Sequence, residues 1–349
     1  MIIAKAKQVL SDAALRRSSA DCERIGRTVM ARAEQALGAA FSQARKTVDN
    51  RNTVGFRLTD ARGEYLLKIN KNPAARAVRD AAFRMNTIAA GDTGGAFSVP
   101  YSHYIDREFD AALMDFVPGT RLDTLLGQER DPGRRATLIQ TSAEALSAIH
   151  SLPHDGPSLD GQAELDGLVQ DVADALPTFS ARNRAGLERL ALQAPFGPVA
   201  LHGDFSPKNL ILNENGTLFV IDFSDRPDSP SPLRDLSIFV IGMAHALARA
   251  RWLHPPSASA SASASPGRAV EPLMRHFLEA YIARSPHIAP TPGALAPQLA
   301  LFELVRLVET KIWLDGYWAF DEASLGWLKA MLGRFFIAAQ LRRLQGRFD

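Results

Sequence analysis

His202-Gly203-Asp204-Phe205-Ser206-Pro207-Lys208-Asn209 is followed, thirteen residues after the Asn, by Asp222 in Ile221-Asp222-Phe223. Between them, Leu210-Ile211-Leu212 and Leu218-Phe219-Val220-Ile221 are short apolar runs on either side of Asn213-Glu214-Asn215-Gly216. Asn-Gly tolerates positive φ at both residues and is the strongest short-range signal for a hairpin. A hairpin here brings Asn209, at its entrance, and Asp222, at its exit, to the same end. Two oxygen ligands of one metal need that arrangement.

The residue types narrow the chemistry. Asp204 and Asn209, five apart on one tight loop, suit a general base and a metal ligand. Asp222, delivered by the following strand, suits a ligand for Mg²⁺ between nucleotide phosphates. Phosphoryl transfer asks little more of a protein than such positioning and charge neutralisation. The plainer alternative is that Asp204 and Asp222 cap turns and Asn209 stabilises a loop. Against it stands the convergence of three polar groups among apolar neighbours.

These motifs resemble those of the aminoglycoside phosphotransferase and choline kinase-like group, small-molecule relatives of the protein kinases, from about residue 52 to about residue 241. The resemblance implies an α+β, bilobal protein-kinase-like fold, with a small antiparallel-sheet N-lobe and a larger, mainly helical C-lobe. It implies ATP, or another NTP, and Mg²⁺ as cofactors. Asp204 becomes the catalytic base, Asn209 a metal ligand and Asp222 the principal metal ligand. Asp235, in Leu233-Arg234-Asp235-Leu236, becomes the brace that holds the catalytic loop through its backbone amides. Asp225 fits a second acidic partner or a solvated turn residue, and the turn is preferred. Protein kinases carry Arg where this loop has Gly203, a Lys where it has Ser206, and Phe-Gly where Asp222 is followed by Phe223-Ser224. Only twelve residues separate Asp222 from Asp235, too few for a segment that cradles a peptide. The acceptor is expected to be small.

An upstream half should clamp the nucleotide. Residues 52–58 and 64–69 read as two strands joined by the turn Asp60-Ala61-Arg62-Gly63. Lys68 lies amid apolar neighbours near the end of the second strand, and the chain has only 8 Lys among its 40 basic residues. A compact ammonium suits phosphate oxygens, so Lys68 is a candidate for the α- and β-phosphates, with a snorkelling surface lysine as the alternative. Residues 73–90 have helical composition but no Glu, and Asp80 is the expected ion-pair partner of Lys68. Residues 43–51 are expected to be a glycine-free, phosphate-covering loop, in which Arg45, Lys46 and Arg51 are either phosphate contacts or merely exposed. Asn52 matches the family's Asn at the start of the next strand. Ala111-Ala112-Leu113-Met114-Asp115-Phe116-Val117 reads as a buried strand before Pro118-Gly119. The resemblance makes Asp115, Phe116 and Val117 the hinge that pairs with adenine. Residues 138–152 read as a helix ending in His150, a packed histidine rather than a catalytic one.

Composition sets the remaining bounds. The 349 residues suit two lobes (1–40 a leading helical element, 41–117 the N-lobe, 118–349 the C-lobe), and 46% hydrophobic with 22% charged residues is ordinary for a globular enzyme. A net charge of +2 without a basic, aromatic-interleaved stripe gives no nucleic-acid signal. Cys22 stands alone, no apolar run reaches membrane-spanning length and the first residues do not open a signal peptide, so a reducing cytoplasm is expected. A flexible Ser/Ala-rich loop is expected over 255–267, built on the alternating tract from Ser257 to Ser265. Beyond it the chain is helical, and Glu303, Glu309, Asp315, Asp321 and Glu322 give the expected acceptor wall an acidic character. That acidity either attracts a cationic acceptor or is surface charge balanced by Arg306 and Lys311. The aromatic residues Trp313, Trp318, Trp327 and Phe335 are expected to pack in the core. The expected function is transfer of the γ-phosphoryl group to a hydroxyl of an antibiotic or of an amino alcohol or sugar-type metabolite. The alternatives are a nucleotide-binding protein without turnover and, less favoured, a protein kinase.

Overall fold

A five-stranded antiparallel sheet carries the first part of the chain. Its strands are β1 (Gln43–Asp49), β2 (Thr53–Thr59), β3 (Glu64–Asn70), β4 (Ser102–Asp106) and β5 (Ala111–Asp115), in the order β1-β2-β3-β5-β4. The computed structural model describes residues 16–50, 52–72, 76–91, 93–153, 161–193, 199–224, 231–253, 266–288, 291–318 and 326–345. The β2–β3 turn forms because Asp60 Oδ1 accepts the amides of Arg62 and Gly63, at 2.7 and 3.1 Å. Thr53 through Thr59 then pair with Asn70 through Glu64 without a slip.

Residues 43–49 are a strand and not the loop expected from sequence. β1 has no apolar alternation to announce it. Its side chains at 44–47 are exposed, and backbone pairing with β2, interrupted by one bulge between Lys46 and Val48, holds it in place. The chain reverses at Asn50, whose Oδ1 accepts the Asn52 and Thr53 amides at 2.8 Å each.

The leading helix α1 (Ser19–Leu37) starts at a capping box formed by Ser18 and Asp21 and ends at Gly38. Cys22, Ile25, Val29 and Ala33 lie three or four residues apart, on one face. They are buried with Val54, Leu58, Leu67, Ile69, Ala111 and Leu113 of the sheet. Helix α2 (Ala77–Ala90) buries Val78, Ala81, Ala82, Met85 and Ile88. A second sheet, in the order β6-β7-β8, comprises β6 (Thr120–Arg121), β7 (Leu210–Leu212) and β8 (Leu218–Val220). The β7–β8 turn forms where Asn-Gly is written. Gly216 N–H donates to Asn213 O at 3.1 Å, and Asn213 Oδ1 accepts the Thr217 amide at 2.8 Å. Ser98 bridges β8 by bonding Leu218 O and the Val220 amide, at 2.9 and 2.8 Å. Only glycine fits at 119, because φ is +147° and a Cβ would sit 2.5 Å from Leu212 O.

Two compact units result. One holds Ser11–Thr120 and Ile211–Arg226, and the other Arg121–Leu210 and Pro227–Asp349. The first unit therefore includes α1, read from sequence as a separate leading element, and borrows the β7–β8 hairpin from far along the chain.

The second unit is helical: α3 (Leu122–Gln128), α4 (Pro132–His150), α5 (Gly161–Ala175), α6 (Pro177–Gln193), α7 (Leu233–Leu253), α8 (Pro266–Arg284), α9 (Pro292–Trp318) and α10 (Gly326–Gln345). Helix α4 begins before residue 138 because Asp131 caps it, accepting the Gly133 amide at 2.8 Å, with Pro132 in its first turn. Phe239 and Phe277 stack at 4.2 Å in the core, and Phe205 lies 5.7 Å from Phe239. Ser257 to Ser265 lie outside the described residues. No helix among the described residues is long and apolar enough to cross a membrane.

Candidate active site

In the sheet-bearing unit, Lys68 rises from β3 between Gly55 and Ala112, its partners on β2 and β5. Small neighbours leave room for its stem. Lys68 Nζ donates to Asp222 Oδ1, joining residues 154 apart in sequence. Asp222 holds φ at +61°, a left-handed conformation that costs a non-glycine residue roughly 1–3 kcal/mol and that clusters at functional sites. Phe223 is buried beside it, with the Arg84 guanidinium 5.3 Å over its ring.

The expected Lys68–Asp80 pair is not formed. Asp80 bonds its neighbour, Arg79 Nε, at 3.0 Å, and Lys68 is taken by Asp222. A carboxyl one methylene shorter than Glu reaches its own helix surface more readily than the sheet. Asn52 is exposed; its Oδ1 lies 3.4 Å from Arg16 Nη1 and its carbonyl accepts the Lys71 amide at 2.7 Å. Lys46 is spent on Glu23 and Asp49, at 2.8 and 3.1 Å. Arg51 and Asp225 lie outside the described residues.

Around the expected hinge, the Asp115 carboxylate accepts from the Tyr101 amide at 3.0 Å and meets His103 Nε2 at 2.7 Å. The Asp115 amide donates to Tyr101 O at 2.9 Å and the Phe116 amide to Glu64 O at 3.0 Å. The Phe116 ring lies 4.2 Å beneath the Arg57 guanidinium. The Val117 amide, unlike those of Asp115 and Phe116, has no hydrogen-bond acceptor among the described residues.

In the helical unit, the loop from His202 to Asn209 is pinned from below. Asp235, fully buried in the first turn of α7, accepts the His202 amide at 2.7 Å and the Gly203 amide at 2.9 Å. Burial pushes its carboxyl up, but the hydrogen bond and charge of His150 and the contacts of His202 outweigh that and hold it below the usual carboxylate range. His150 is buried and also bonded to Tyr281 OH at 2.7 Å, a packed histidine as expected. To present two successive amides to one carboxylate the chain turns at Gly203, φ +86°.

Asp204 N–H then donates to His202 Nδ1 at 3.1 Å. A single 3₁₀ turn, Pro207–Asn209, swings Asn209 back, and its Nδ2 donates to Asp204 O and Oδ2 at 2.9 and 3.1 Å. That engages the amide nitrogen and leaves the carbonyl oxygen of the buried Asn209 without a partner among the described residues. Two cations flank the Asp204 carboxylate: Lys208 Nζ lies 3.0 Å from Oδ2, and Arg306 Nη2 of α9 lies 3.5 Å from Oδ1. Arg306 also donates to Glu309 at 2.8 Å. Desolvation alone would lower the Arg306 pKa; Glu309 and then Asp204 reverse this and raise it above the ordinary value.

Neither cation was among the candidates for the site. Lys208, four residues after Asp204, could have been found in the motif, whereas nothing local marks Arg306. Two of the acidic residues expected in the acceptor wall, both on α9, are engaged with cations. Glu303 is fully buried against Arg343, and Glu309 is bonded to Arg306. Asp321 and Glu322, and the side chains of Trp313, Asp315, Trp318 and Trp327, lie outside the described ones. Phe335 is exposed and not in the core.

The helical unit thus offers a carboxylate on a braced loop with an amide five residues later, and the sheet-bearing unit a strained carboxylate paired to a sheet lysine. Residues 43–255 match the sequence pattern of the phosphotransferase enzyme family. The chain belongs to that family. This phosphotransferase shares its fold with a choline/ethanolamine kinase family protein from Mesorhizobium loti, at 15% identity and a TM-score of 0.57 over 92% of this chain and 98% of the other. Choline kinase LicA from Streptococcus pneumoniae gives 14% and 0.57, over 90% and 99%. The APH(2")-IIia structure with GDP and kanamycin gives 14% and 0.57, over 85% and 94%. No curated protein matches the sequence. At these identities the likeness carries the protein-kinase-like fold of small-molecule kinases, α+β with an antiparallel sheet and a larger helical part.

Proposed function

We propose that this phosphotransferase moves the γ-phosphoryl group of ATP, or of another NTP, to a hydroxyl of a small molecule. The observation that carries the reading is the bracing of the Asp204–Asn209 loop by the buried Asp235, which fixes the carboxylate and leaves the Asn209 oxygen unspent. Asp204 takes the proton from the acceptor hydroxyl as that oxygen bonds to phosphorus and the bond to the β-phosphate oxygen breaks. Lys68 orients the α- and β-phosphates, and the unpaired Val117 amide offers a donor to the base of the nucleotide.

Mg²⁺ fits the donors present. Asn209 and Asp222 offer hard oxygens, and Mg²⁺ takes one or two protein ligands together with phosphates. Among the described residues there is no cluster of three or more His, Cys, Asp or Glu side chains that could hold a metal on its own. When bound, the ion neutralises charge developing on the phosphates. The short connection between Asp222 and Asp235 favours a small acceptor over a peptide. Antibiotics, amino alcohols and sugars are the acceptor classes to try first, in line with the names of the similar structures.

The test is nucleotide consumption by the purified chain against a panel of such acceptors, with Asp204→Asn alongside. Turnover should fall at least ~10²-fold in the variant with nucleotide binding retained, the low end of positioned acid–base catalysis. A variant turning over within a few-fold of the native chain would remove Asp204 from the mechanism. A native chain that binds Mg·ATP but consumes none with any acceptor would favour the reading as a nucleotide-binding protein without turnover.

A further inference from the structure

Resting on the kinase reading above, we propose that Arg306 of α9 is a further catalytic residue, the cation that grips the phosphoryl group as it reaches the acceptor oxygen. The two oxygens of the Asp204 carboxylate are unlike. Oδ2 accepts from Asn209 Nδ2 at 3.1 Å and faces Lys208 Nζ at 3.0 Å. Oδ1 accepts no hydrogen bond among the described residues, and Arg306 Nη2 stands 3.5 Å from it. Oδ1 is therefore the oxygen left for the acceptor's proton. A hydroxyl bonded to it at about 2.6–3.2 Å comes to lie next to the guanidinium. The Asp204 and Arg306 side chains are 33% and 30% exposed, so an acceptor can reach both.

Arg306 is not needed to hold Asp204. The Asp204 amide is fixed on His202 Nδ1, and the Asn209 amide nitrogen holds its carbonyl and Oδ2. An arginine serving only as a partner would close to a charge-assisted hydrogen bond, at about 2.7–2.9 Å. The guanidinium is instead fixed by its own helix. Nη1 donates to Glu309, one turn on, at 2.8 Å, and the buried Leu304, Leu307 and Val308 anchor that stretch of α9. Nη2 is left with no hydrogen-bond acceptor among the described residues. At transfer the hydroxyl proton passes to Oδ1, the hydroxyl oxygen bonds to phosphorus, and the bond to the β-phosphate oxygen breaks. The carboxylate thereby loses one negative charge and the new phosphate ester gains it. A planar guanidinium beside that position can meet two phosphoryl oxygens at once. Cations set in advance where charge develops are among the largest contributions to such chemistry.

The experiment compares two analogues. Fluoroaluminate with Mg·ADP mimics the phosphoryl group in transfer, with water as the attacking hydroxyl, whereas Mg·AMP-PNP mimics the nucleotide before transfer. Affinities for both are measured calorimetrically on the full native chain, on Arg306→Gln and on Arg306→Lys. Fluoroaluminate should tighten the binding of Mg·ADP by the native chain. Arg306→Gln should lose at least about tenfold of that gain, as the loss of one charge-assisted hydrogen bond implies, while its affinity for Mg·AMP-PNP changes less than about twofold. Arg306→Lys keeps the charge without the fork and should restore part of the loss. A merely structural role predicts equal losses for the two analogues, and that result would overturn the proposal. So would an undiminished gain in Arg306→Gln, a lysine variant no better than the glutamine one, or a native chain that binds Mg·ADP but gains nothing from fluoroaluminate. Failure of the native chain to bind Mg·AMP-PNP would instead strike the kinase reading itself.

Discussion

Asp222 is, like Arg76 and Asp110, a non-glycine residue of the sheet-bearing unit in left-handed backbone, and its carboxylate is held by Lys68. A carboxylate held by a lysine is released only if something else supplies the positive charge, and the phosphates with their Mg²⁺ supply both signs. Lys68 and Asp222 should therefore act as one unit toward Mg·ATP. A double-mutant cycle of Lys68→Met and Asp222→Asn, read as Mg·ATP affinity, should be non-additive by more than about 0.5 kcal/mol. Independent effects would show that the pair does not couple in nucleotide binding. Asp80→Ala is the control: bonded to Arg79 and not to Lys68, it should change the KM for ATP by less than about twofold. The place of Lys68 on a strand was legible from its apolar neighbours. Its partner was not, because the contact joins residues 154 apart and the sequence offers a nearer acid.

Elements set how accurately those residues are placed, and two of them make predictions. The 3₁₀ turn Pro207–Asn209 packs on α7 at Gly242, where a Cβ would stand 2.7 Å from Pro207 Cδ and 2.8 Å from Ser206 Oγ. The hydroxyl can rotate aside, but the proline ring cannot. Gly242→Ala should displace the 3₁₀ turn and lower kcat at least about tenfold, since small misplacements cost rate steeply, with the KM for ATP little changed; native kinetics in this variant would show that the turn adapts. The end of β1 is tied by Asp49, which bonds Lys71 at 2.7 Å, Lys46 at 3.1 Å and Ser19 at 2.9 Å. The hydrogen bond from Lys71 is the largest cause of an Asp49 pKa lowered to about 2. A lowered carboxyl pKa stabilises the fold above the unfolded value, near 4, and that stability is lost as pH falls through the folded value. Asp49→Asn should thus lower Tm at neutral pH, with the deficit shrinking as pH falls from about 4 toward about 2. A deficit independent of pH would exclude the ionic origin. The β7–β8 hairpin was legible because Asn-Gly and two apolar runs act locally. β1 was not, since it buries almost nothing and only its partner's backbone makes it a strand.

At the scale of the molecule, the largest difference from the sequence reading concerns α1. Its amphipathic pattern showed a helix, but which surface an amphipathic face covers depends on residues far away, and no motif records that. Cys22, Val29 and Ala33 are at most 1% exposed and Ile25 is 9% exposed, all against Val54, Leu67, Ile69, Ala111 and Leu113. The strand that carries Lys68 thus has α1 on the face where Leu67 and Ile69 alternate with it. Burial of each larger apolar side chain contributes about 1.5–3 kcal/mol, against a total stability of about 5–15 kcal/mol for a typical domain. Arg32 adds a bond to the buried Asp106 at 2.9 Å, and Arg17 donates to Phe109 O at 2.6 Å. Removing residues 1–40 should therefore unfold the sheet-bearing unit rather than trim an appendage. The helical unit buries its own aromatic core around Phe239 and Phe277, so the shortened chain should keep much of its helical circular dichroism. It should lose Mg·ATP binding and the thermal transition of the sheet-bearing unit. If the shortened chain instead binds Mg·ATP with native affinity and melts at the native temperature, α1 is dispensable, and the core of that unit is held by the sheet and α2 alone.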